Sequence, residues 1–360
     1  MISTAVPRLG DCKLIAHMSL EEDGSYTVND DRNMRLFTTS GAASRRIVYL
    51  YPRMDEIRQI RPSWTFMQPK YIDSVVWGCI ATGRDDLLRA GNGIVTRRGI
   101  LSRIFLGCFP ITLHVSYIDG NLYMEEDRPD LRRDCWKAHN FTRNDATGMA
   151  FEETFSKIKP SNDDARGSQG KSSFGAQWAN VVSRSFGSMN LIFSGEVDAV
   201  KGTAGCDWFE RRIELKCKLV GTRVPYDRWH MQSYLLGVPE IFVGYHTWNL
   251  QISHTNTIRT AEIKTHKFDG HIARGYRALS SLRSYISREQ TRSSSIDDTI
   301  WRVTIDSGRL ANVQKLSPVD AETVKKRRED PLKAPIERIG IVPRSMIEAL
   351  RGKGNNIVRV

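Results

Sequence analysis

The sequence predicts an α+β protein, and three observations carry the prediction. Short runs rich in β-favouring residues alternate apolar and polar positions and are bounded by turn-forming segments. Between them lie longer stretches with helical apolar spacing. The chain has 360 residues and is 40% hydrophobic, enough to bury the core of one large domain or two smaller ones. We read residues 1–320 as a single domain and residues 321–360 as a charged tail.

In chain order, residues 1–50 read as short strands and turns, with RRIVYLY the best strand and DGSY and NDDRN turns. A helix is expected from about Asp73, and Gly91 and Gly93 then break the chain. GIVTRRGILSRIFLGCF reads as a helix, or a strand followed by a helix, and carries Arg97, Arg98 and Arg103. ITLHVSYIDG and NLYMEED alternate on either side of Asp119-Gly120, so they form a β-hairpin whose second arm ends on Glu125, Glu126 and Asp127. GMAFEETFSKIKP is amphipathic and stops before Pro160. SNDDARGSQGKSS is a polar loop, and FGAQWANVVSRSFGS is a second amphipathic helix or an extended segment.

Two apolar runs, Leu191–Phe193 and Ile213–Leu215, flank the turn-prone GTAGCD and read as strands joined in a hairpin or near-hairpin. PYDRWHMQSYLL is a helix, GVP a turn and Ile241–Tyr245 a strand. AEIKTHKF is read as another strand, HIARGYRALSSLRSYI as a basic helix, SREQTRSSSIDD as a linker and WRVTIDSGRLANVQKL as a terminal hairpin. From Ala321, KKRRED and RGKGNN mark the tail as a solvated or disordered appendage, with a basic nucleic-acid-binding arm as the alternative.

Lys and Arg number 53 against 41 Asp and Glu, a net charge of +12, which points to a polyanionic partner: nucleic acid first, an anionic membrane surface second. Six cysteines (Cys12, Cys79, Cys108, Cys135, Cys206, Cys217) show no CxxC pair, which speaks against a zinc ribbon or disulfide framework and for a reducing compartment. No apolar run is long enough to span a bilayer, and MISTAVPRLGDCK lacks a signal-peptide core, so the expectation is a soluble protein inside the cell.

The chemistry concentrates between Leu191 and Lys216. Residues two apart share a strand face, so Glu196 and Asp198 point together, as do Glu214 and Lys216. Clustered carboxylates repel unless a cation sits among them, and hard divalent ions favour such oxygen ligands. An acid, a gap and then Glu-x-Lys is a pattern suited to metal-dependent phosphodiester hydrolysis, with the lysine holding water or a phosphate oxygen.

Several segments together resemble the DXO-type RNA-decapping exonuclease family: LIFSGEVDAV, IELK and WHMQSYLLGVPEIFVG, with GIVTRRG, GNLYMEED and GMAFEETF upstream. The resemblance covers about residues 90–250. It implies a mixed β-sheet core of two sheets flanked by helices, and metal-dependent hydrolysis at the 5′ end of RNA. Incomplete, unmethylated or NAD-type caps, or a 5′ pyrophosphate, would be removed, with 5′→3′ digestion able to follow. It implies Glu126, Glu196, Asp198 and Glu214 as metal ligands, with the carbonyl of Leu215, around Mg²⁺ or Mn²⁺, two ions in all. Lys216 and Gln232 would contact the scissile phosphate, and Arg97, Arg98 and Gly99 the RNA phosphates or 5′ end. Ser156 would line the substrate site, beside Glu126 and Glu196. A larger 5′ exoribonuclease partner and a nuclear or cytoplasmic location belong to the same expectation.

Two departures stand out: Arg97 replaces the family's tryptophan, and His230 replaces an aromatic ahead of Gln232. Lost aromatics remove stacking surface for a base, while an added arginine strengthens backbone contact. Two other readings use the same residues, a catalytically weak adaptor that shields RNA 5′ ends and a generic DNA nuclease. The intact acid set favours the RNA enzyme.

Overall fold

The computed structural model describes residues 7–21, 25–39, 47–60, 72–127, 143–159, 176–202, 207–292, 298–328 and 335–352. The first half of the chain supplies β1 (Lys13–Leu20), β2 (Tyr26–Val28), β3 (Arg35–Phe37), β4 (Gly93–Arg97), β5 (Ile111–Ile118), β6 (Asn121–Glu126) and β7 (Ser156–Ile158). Then follow β8 (Gln177–Phe186), β9 (Met189–Glu196), β10 (Ala199–Val200), β11 (Arg212–Leu219), β12 (Glu240–His246) and β13 (Ile252–Arg259). The last are β14 (Trp301–Asp306), β15 (Arg309–Lys315), β16 (Arg338–Ile339) and β17 (Val342–Pro343).

These strands form two large mixed sheets. The first has nine strands in the order β15-β14-β5-β6-β4-β9-β8-β1-β2, and the second has six in the order β13-β12-β11-β10-β3-β7. In the first, β4 runs parallel to both neighbours, β6 and β9, while the remaining pairs are antiparallel. The β5–β6 hairpin turns at Asp119 and Gly120, both at positive φ (48° and 81°), as a two-residue turn with the strands' own twist requires.

The helix Asp73–Ala81 covers one face of the nine-stranded sheet, joined by Ile339, Ile341, Val342, Met346, Ile347 and Leu350 from the far C-terminus. The helices Arg98–Leu106, Tyr226–Leu236 and Phe268–Arg292 fill the other face around Phe105, Phe186, Phe193, Leu235 and Leu282. The helix Arg143–Phe155 lies on the six-stranded sheet at β11, with the helix Tyr51–Ile60 beside it. No helix among the described residues is long and apolar enough to cross a membrane.

The structure corrects five expectations. RRIVYLY is not a strand: among its described residues only Tyr49 makes an isolated bridge, to Gln251, and Tyr51 already opens a helix. The strands on either side of GTAGCD are not partners: β9 belongs to the first sheet and β11 to the second, and only the short β10 pairs with β11, Ala199 opposite Ile213. Of the two readings of FGAQWANVVSRSFGS the extended one holds, since it contains the strand β8, consistent with its paired valines. AEIKTHKF holds a 3-10 turn, Thr260–Glu262, and the strand is β13 just before it. β13 escaped notice because it is an edge strand with mostly exposed polar residues. The basic helix also runs on to Arg292 and takes up the first half of the expected linker, whose residues 293–297 lie outside the described residues, as does the polar loop 161–173.

The fifth correction concerns the tail. Residues 318–328 and 335–352 are built into the fold. Pro318–Lys326 and Arg344–Leu350 are helices, and β16 and β17 form a small antiparallel pair. Two of the tail's arginines are buried. Arg328 donates to Glu125 Oε2 (2.9 Å from Nε), while Arg338 grips Asp73 through Nη1–Oδ1 at 3.0 Å and Nη2–Oδ2 at 2.7 Å. The charge count of the tail describes a solvated segment, but these two charges are internal and paired. Arg338→Met should leave the Asp73 carboxylate buried without its partner and lower stability by about 3–5 kcal/mol. The urea midpoint of the full chain measures this, and an unchanged midpoint would return the segment to the status of an appendage.

Candidate active site

The chain crosses from one sheet to the other between Glu196, the last residue of β9, and Ala199, the first of β10. Val197 N–H, in the crossing, donates to the Trp178 carbonyl at 3.0 Å. This places Glu196 at the rim of the first sheet and Asp198 against the second. Asp198 Oδ2 accepts from the Leu215 N–H at 2.7 Å and lies 3.4 Å from Lys216 Nζ. Glu214 sits on β11 beside Lys216, with 2.7 Å between Oε1 and Nζ. Lys216 Nζ also donates to the Leu215 carbonyl at 3.1 Å.

Arg98 arrives from the first sheet. β4 runs beside β9 with Arg97 opposite Ser194, so the first residue of the helix Arg98–Leu106 emerges next to Gly195. A Cβ on Gly195 would stand 3.0 Å from Leu236 Cδ2 and 3.1 Å from Arg98 Cδ, so the bare backbone lets the arginine stem cross here. Arg98 Nη1 then reaches Glu214 Oε2 at 3.0 Å. Glu214 is thus held between two cations from different sheets.

A fourth acid comes from the helix Arg143–Phe155. Phe151 stacks on Phe242 of β12 and fills the space above Gly244, where a Cβ would fall 2.1 Å from its ring. The next residue, Glu152, is thereby held where it feels Asp198, Glu196, Lys216 and Glu214. Burial first, then Asp198 and Glu196, push its carboxyl well above the ordinary range. Glu196 is raised to about 7 by burial and then by Asp198. Burial and then Glu214 also raise Asp198. Burial acts upward on Glu214 too, but Arg98 and Lys216 outweigh it and hold the carboxyl at about 2. Lys216 is raised, Asp198 and Glu214 overcoming its burial.

Four carboxylates face two cations, so full ionisation leaves two excess negative charges in the recess. Among the described residues, the carboxylates of Glu152 and Glu196 have no hydrogen-bond or ion-pair partner. As the side chains stand, no three His, Cys, Asp or Glu among the described residues close around a single point. The reason is local: Lys216 lies between Asp198 and Glu214, and Arg98 takes Glu214's other oxygen. The donor set fits a hard divalent ion, since it offers oxygens only, carries surplus negative charge and includes two acids without a partner.

Of the residues read from the sequence, Glu196, Asp198, Glu214, Leu215, Lys216 and Arg98 meet here. Arg97 ends β4 in an extended conformation, and Gly99 is exposed in the first turn of the next helix with open space around it. Gln232 lies one turn before Leu236, on the same helix face, and is partly exposed. Glu126 is not brought into the cluster. It lies on β6, two strands from β9, roughly 10 Å at the standard spacing, and is ion-paired with Arg103. Ser156 is a second correction. It is 1% exposed and internally used, donating to the Glu152 carbonyl at 2.6 Å and accepting from Arg35 Nε at 2.7 Å. His230 faces inward, its ring 4.6 Å from that of Phe268. Sequence reasoning missed Glu152, although GMAFEETF held the signal: an acid beside a buried phenylalanine on an amphipathic helix.

Glu196 gives a direct test of this electrostatic frame. A carboxyl raised from its ordinary 4.5 to about 7 on folding loses stability for the fold as pH climbs between those values, because the unfolded chain ionises first. In chelator, Glu196→Gln should therefore be more stable than wild type at pH 8 by on the order of 2 kcal/mol, and equal to it near pH 4. Urea unfolding at both pH values measures the difference. No gain at pH 8 would mean that burial and the neighbouring acids do not press on Glu196.

The family model described as RAI1 like PD-(D/E)XK nuclease matches residues 11–334. Among named relatives, the decapping nuclease RAI1 of Cryptococcus neoformans is 29% identical over 223 residues, 53% of this chain and 54% of that protein. That of Yarrowia lipolytica is 24% identical over 237 residues, 59% and 66% of the two chains. The chain thus spans between about half and two thirds of the length of these relatives. The fold agrees with Candida albicans Rai1 in complex with pU5-Mn²⁺ (TM-score 0.62, 15% identity, 89% and 94% of the two chains). It agrees equally with Scheffersomyces stipitis Rai1 in complex with (3′-NADP)⁺ and calcium ion (TM-score 0.63, 15% identity, 97% and 98%). Glu214-Leu215-Lys216 has the (D/E)XK spacing of that description, Asp198 lies against it, Glu196 stands across the sheet junction, and the match runs nearly end to end: the chain belongs to the RAI1-like PD-(D/E)XK nuclease family.

Proposed function

We propose that this protein is a divalent-metal-dependent hydrolase acting at the 5′ end of RNA, where it removes incomplete, unmethylated or NAD-type caps or a 5′ pyrophosphate. The observation that carries the reading is the recess at the sheet junction, where four acids outnumber two cations. Glu152, Glu196, Asp198, Glu214 and the Leu215 carbonyl would hold Mg²⁺ or Mn²⁺, with room in the donor set for two ions. A bound ion supplies an activated water and neutralises phosphate charge.

The chain's own residues do the rest. Lys216, already at the acids, is placed to donate to a phosphate oxygen or to orient the attacking water. The exposed first turn at Gly99 presents backbone N–H groups at the positive end of a helix, and Arg97 and Arg98 stand beside it. These suit the 5′ phosphates. The Gln232 amide, on the neighbouring helix, would fix the scissile phosphate. The net charge of +12 favours the polyanion. The ligands of related structures, pU5 with Mn²⁺ and (3′-NADP)⁺ with calcium, support RNA and dinucleotide-like ends as substrates. Continued 5′→3′ digestion, a larger 5′ exoribonuclease partner and a nuclear or cytoplasmic location complete the proposal.

RNA labelled in a 5′ triphosphate or NAD group should lose the label with Mn²⁺ or Mg²⁺ and keep it in chelator. Glu196→Ala combined with Asp198→Ala should abolish release, and Glu152→Gln should lower turnover by roughly a hundredfold or more. Glu126→Gln should leave turnover within about threefold of wild type, since its carboxylate serves Arg103 rather than the recess. Label release by the double alanine variant equal to that of wild type would overturn the reading.

A further inference from the structure

The last turn of the helix that carries Gln232 is held by two buried arginines. A helix leaves its final carbonyls without partners, and here they are taken one by one. Arg212 Nη1 donates to the Leu236 carbonyl at 3.0 Å, and Nη2 to the Gly237 carbonyl at 2.9 Å. Arg184 Nη1 donates to the Tyr234 carbonyl and lies 3.4 Å from that of Leu235. Both guanidiniums lie over aromatic rings, Arg212 at 3.5 Å from the Phe209 centroid and Arg184 at 4.6 Å from that of Tyr234.

Arg212 does more than cap. It is the first residue of β11, so it shares a face with Glu214 and Lys216. Its Nη1 also donates to Asn180 Oδ1 at 3.1 Å, and Asn180 pairs with Gly195 in the first sheet. Its Nε donates to the Phe209 carbonyl at 2.7 Å. One side chain, 1% exposed, therefore ties the end of the Gln232 helix to the strand of Glu214 and Lys216 and to the backbone next to Gly195. Leu236, whose carbonyl it holds, is the side chain packed with Arg98 over Gly195.

We propose that Arg212 is a positioning residue: acting through the Leu236 and Gly237 carbonyls, it sets the spacing between Gln232 and the Glu214–Lys216 strand, and so the seat of the scissile phosphate. It touches neither ion nor RNA. The proposal rests on the functional reading above, which assigns Gln232 to the phosphate. A plain structural cap would affect stability alone. A spacer affects what Gln232 does.

A double-mutant cycle separates the two. Arg212→Lys keeps the charge, but a lysine cannot reach four acceptors on three segments at once. Wild type, Arg212→Lys, Gln232→Ala and the double variant are compared at a temperature where circular dichroism shows each folded. Affinity for a 5′-monophosphorylated RNA oligonucleotide is read by fluorescence anisotropy, turnover on labelled RNA with Mn²⁺, and Mn²⁺ affinity by calorimetry.

Arg212→Lys should weaken RNA affinity or turnover by roughly tenfold to a hundredfold, the scale of an ångström-sized misplacement. Mn²⁺ affinity should stay within about twofold, and the loss should vanish in the Gln232→Ala background. An equal loss in both backgrounds, a parallel loss of Mn²⁺ affinity, or no loss in the folded variant would overturn the proposal. If Arg212→Lys does not fold, Arg184→Lys, which loosens the same helix end from the other side, is read by the same cycle. If wild type binds RNA without hydrolysing it, the functional reading fails, while the affinity cycle still decides the role of Arg212.

Discussion

The ion pairing of Glu214 with Arg98 and Lys216 is the interaction on which the rest of the structure depends. Its carboxylate lies where two mixed sheets meet, and each cation comes from a different one. With both cations present the buried charge is compensated. A lone carboxylate this deep would carry a large desolvation cost, so the sheets are obliged to meet at this point. The cost of that arrangement is visible in the neighbouring acids. Glu152, Glu196 and Asp198 are all pushed upward, by burial first and then by one another and by Glu214. A recess with unspent negative charge is what a phosphodiester-cleaving site needs if divalent ions are to settle there.

The surrounding fold reads as support for this junction. Gly195 and Gly244 carry no Cβ at the two places where a working side chain must pass close to a strand, Arg98 at one and Phe151, ahead of Glu152, at the other. The same logic appears at the far face of the large sheet. There the buried carboxylates Glu125 and Asp73 are matched by Arg328 and Arg338 from the end of the chain. Glu214, Glu125 and Asp73 each meet an arginine distant in sequence, and each such pair fixes how two remote segments sit together.

Much of the fold was legible locally. Alternation around Asp119-Gly120 marked the β5–β6 hairpin, and Glu-x-Lys announced a shared face on β11, because side-chain direction along a strand follows from covalent geometry; Glu-x-Asp does not share a strand face, since β9 ends at Glu196 and Asp198 lies in the crossing to the second sheet. The choice between Glu126 and Glu152 was not legible. Both are acids at the edge of an amphipathic element, and only the docking of Phe151 above Gly244 turns one of them toward Asp198. The C-terminal segment misled for a related reason. Its composition is charged, yet Ile339, Ile341, Val342 and Ile347 are core residues, and the charge of Arg338 has a partner 265 positions away.

By itself, the sequence determined the α+β class, the basic balance that suits a polyanion and the acid–lysine chemistry, since these depend on residue type and on spacing of a few positions. Tertiary structure alone decided that β9 and β11 lie in separate sheets, that Glu152 completes the recess and that Arg212 bridges strand and helix. Each of these is a contact between segments far apart in the chain. Such contacts are chosen by the global minimum of burial and charge compensation, and no local pattern encodes that choice.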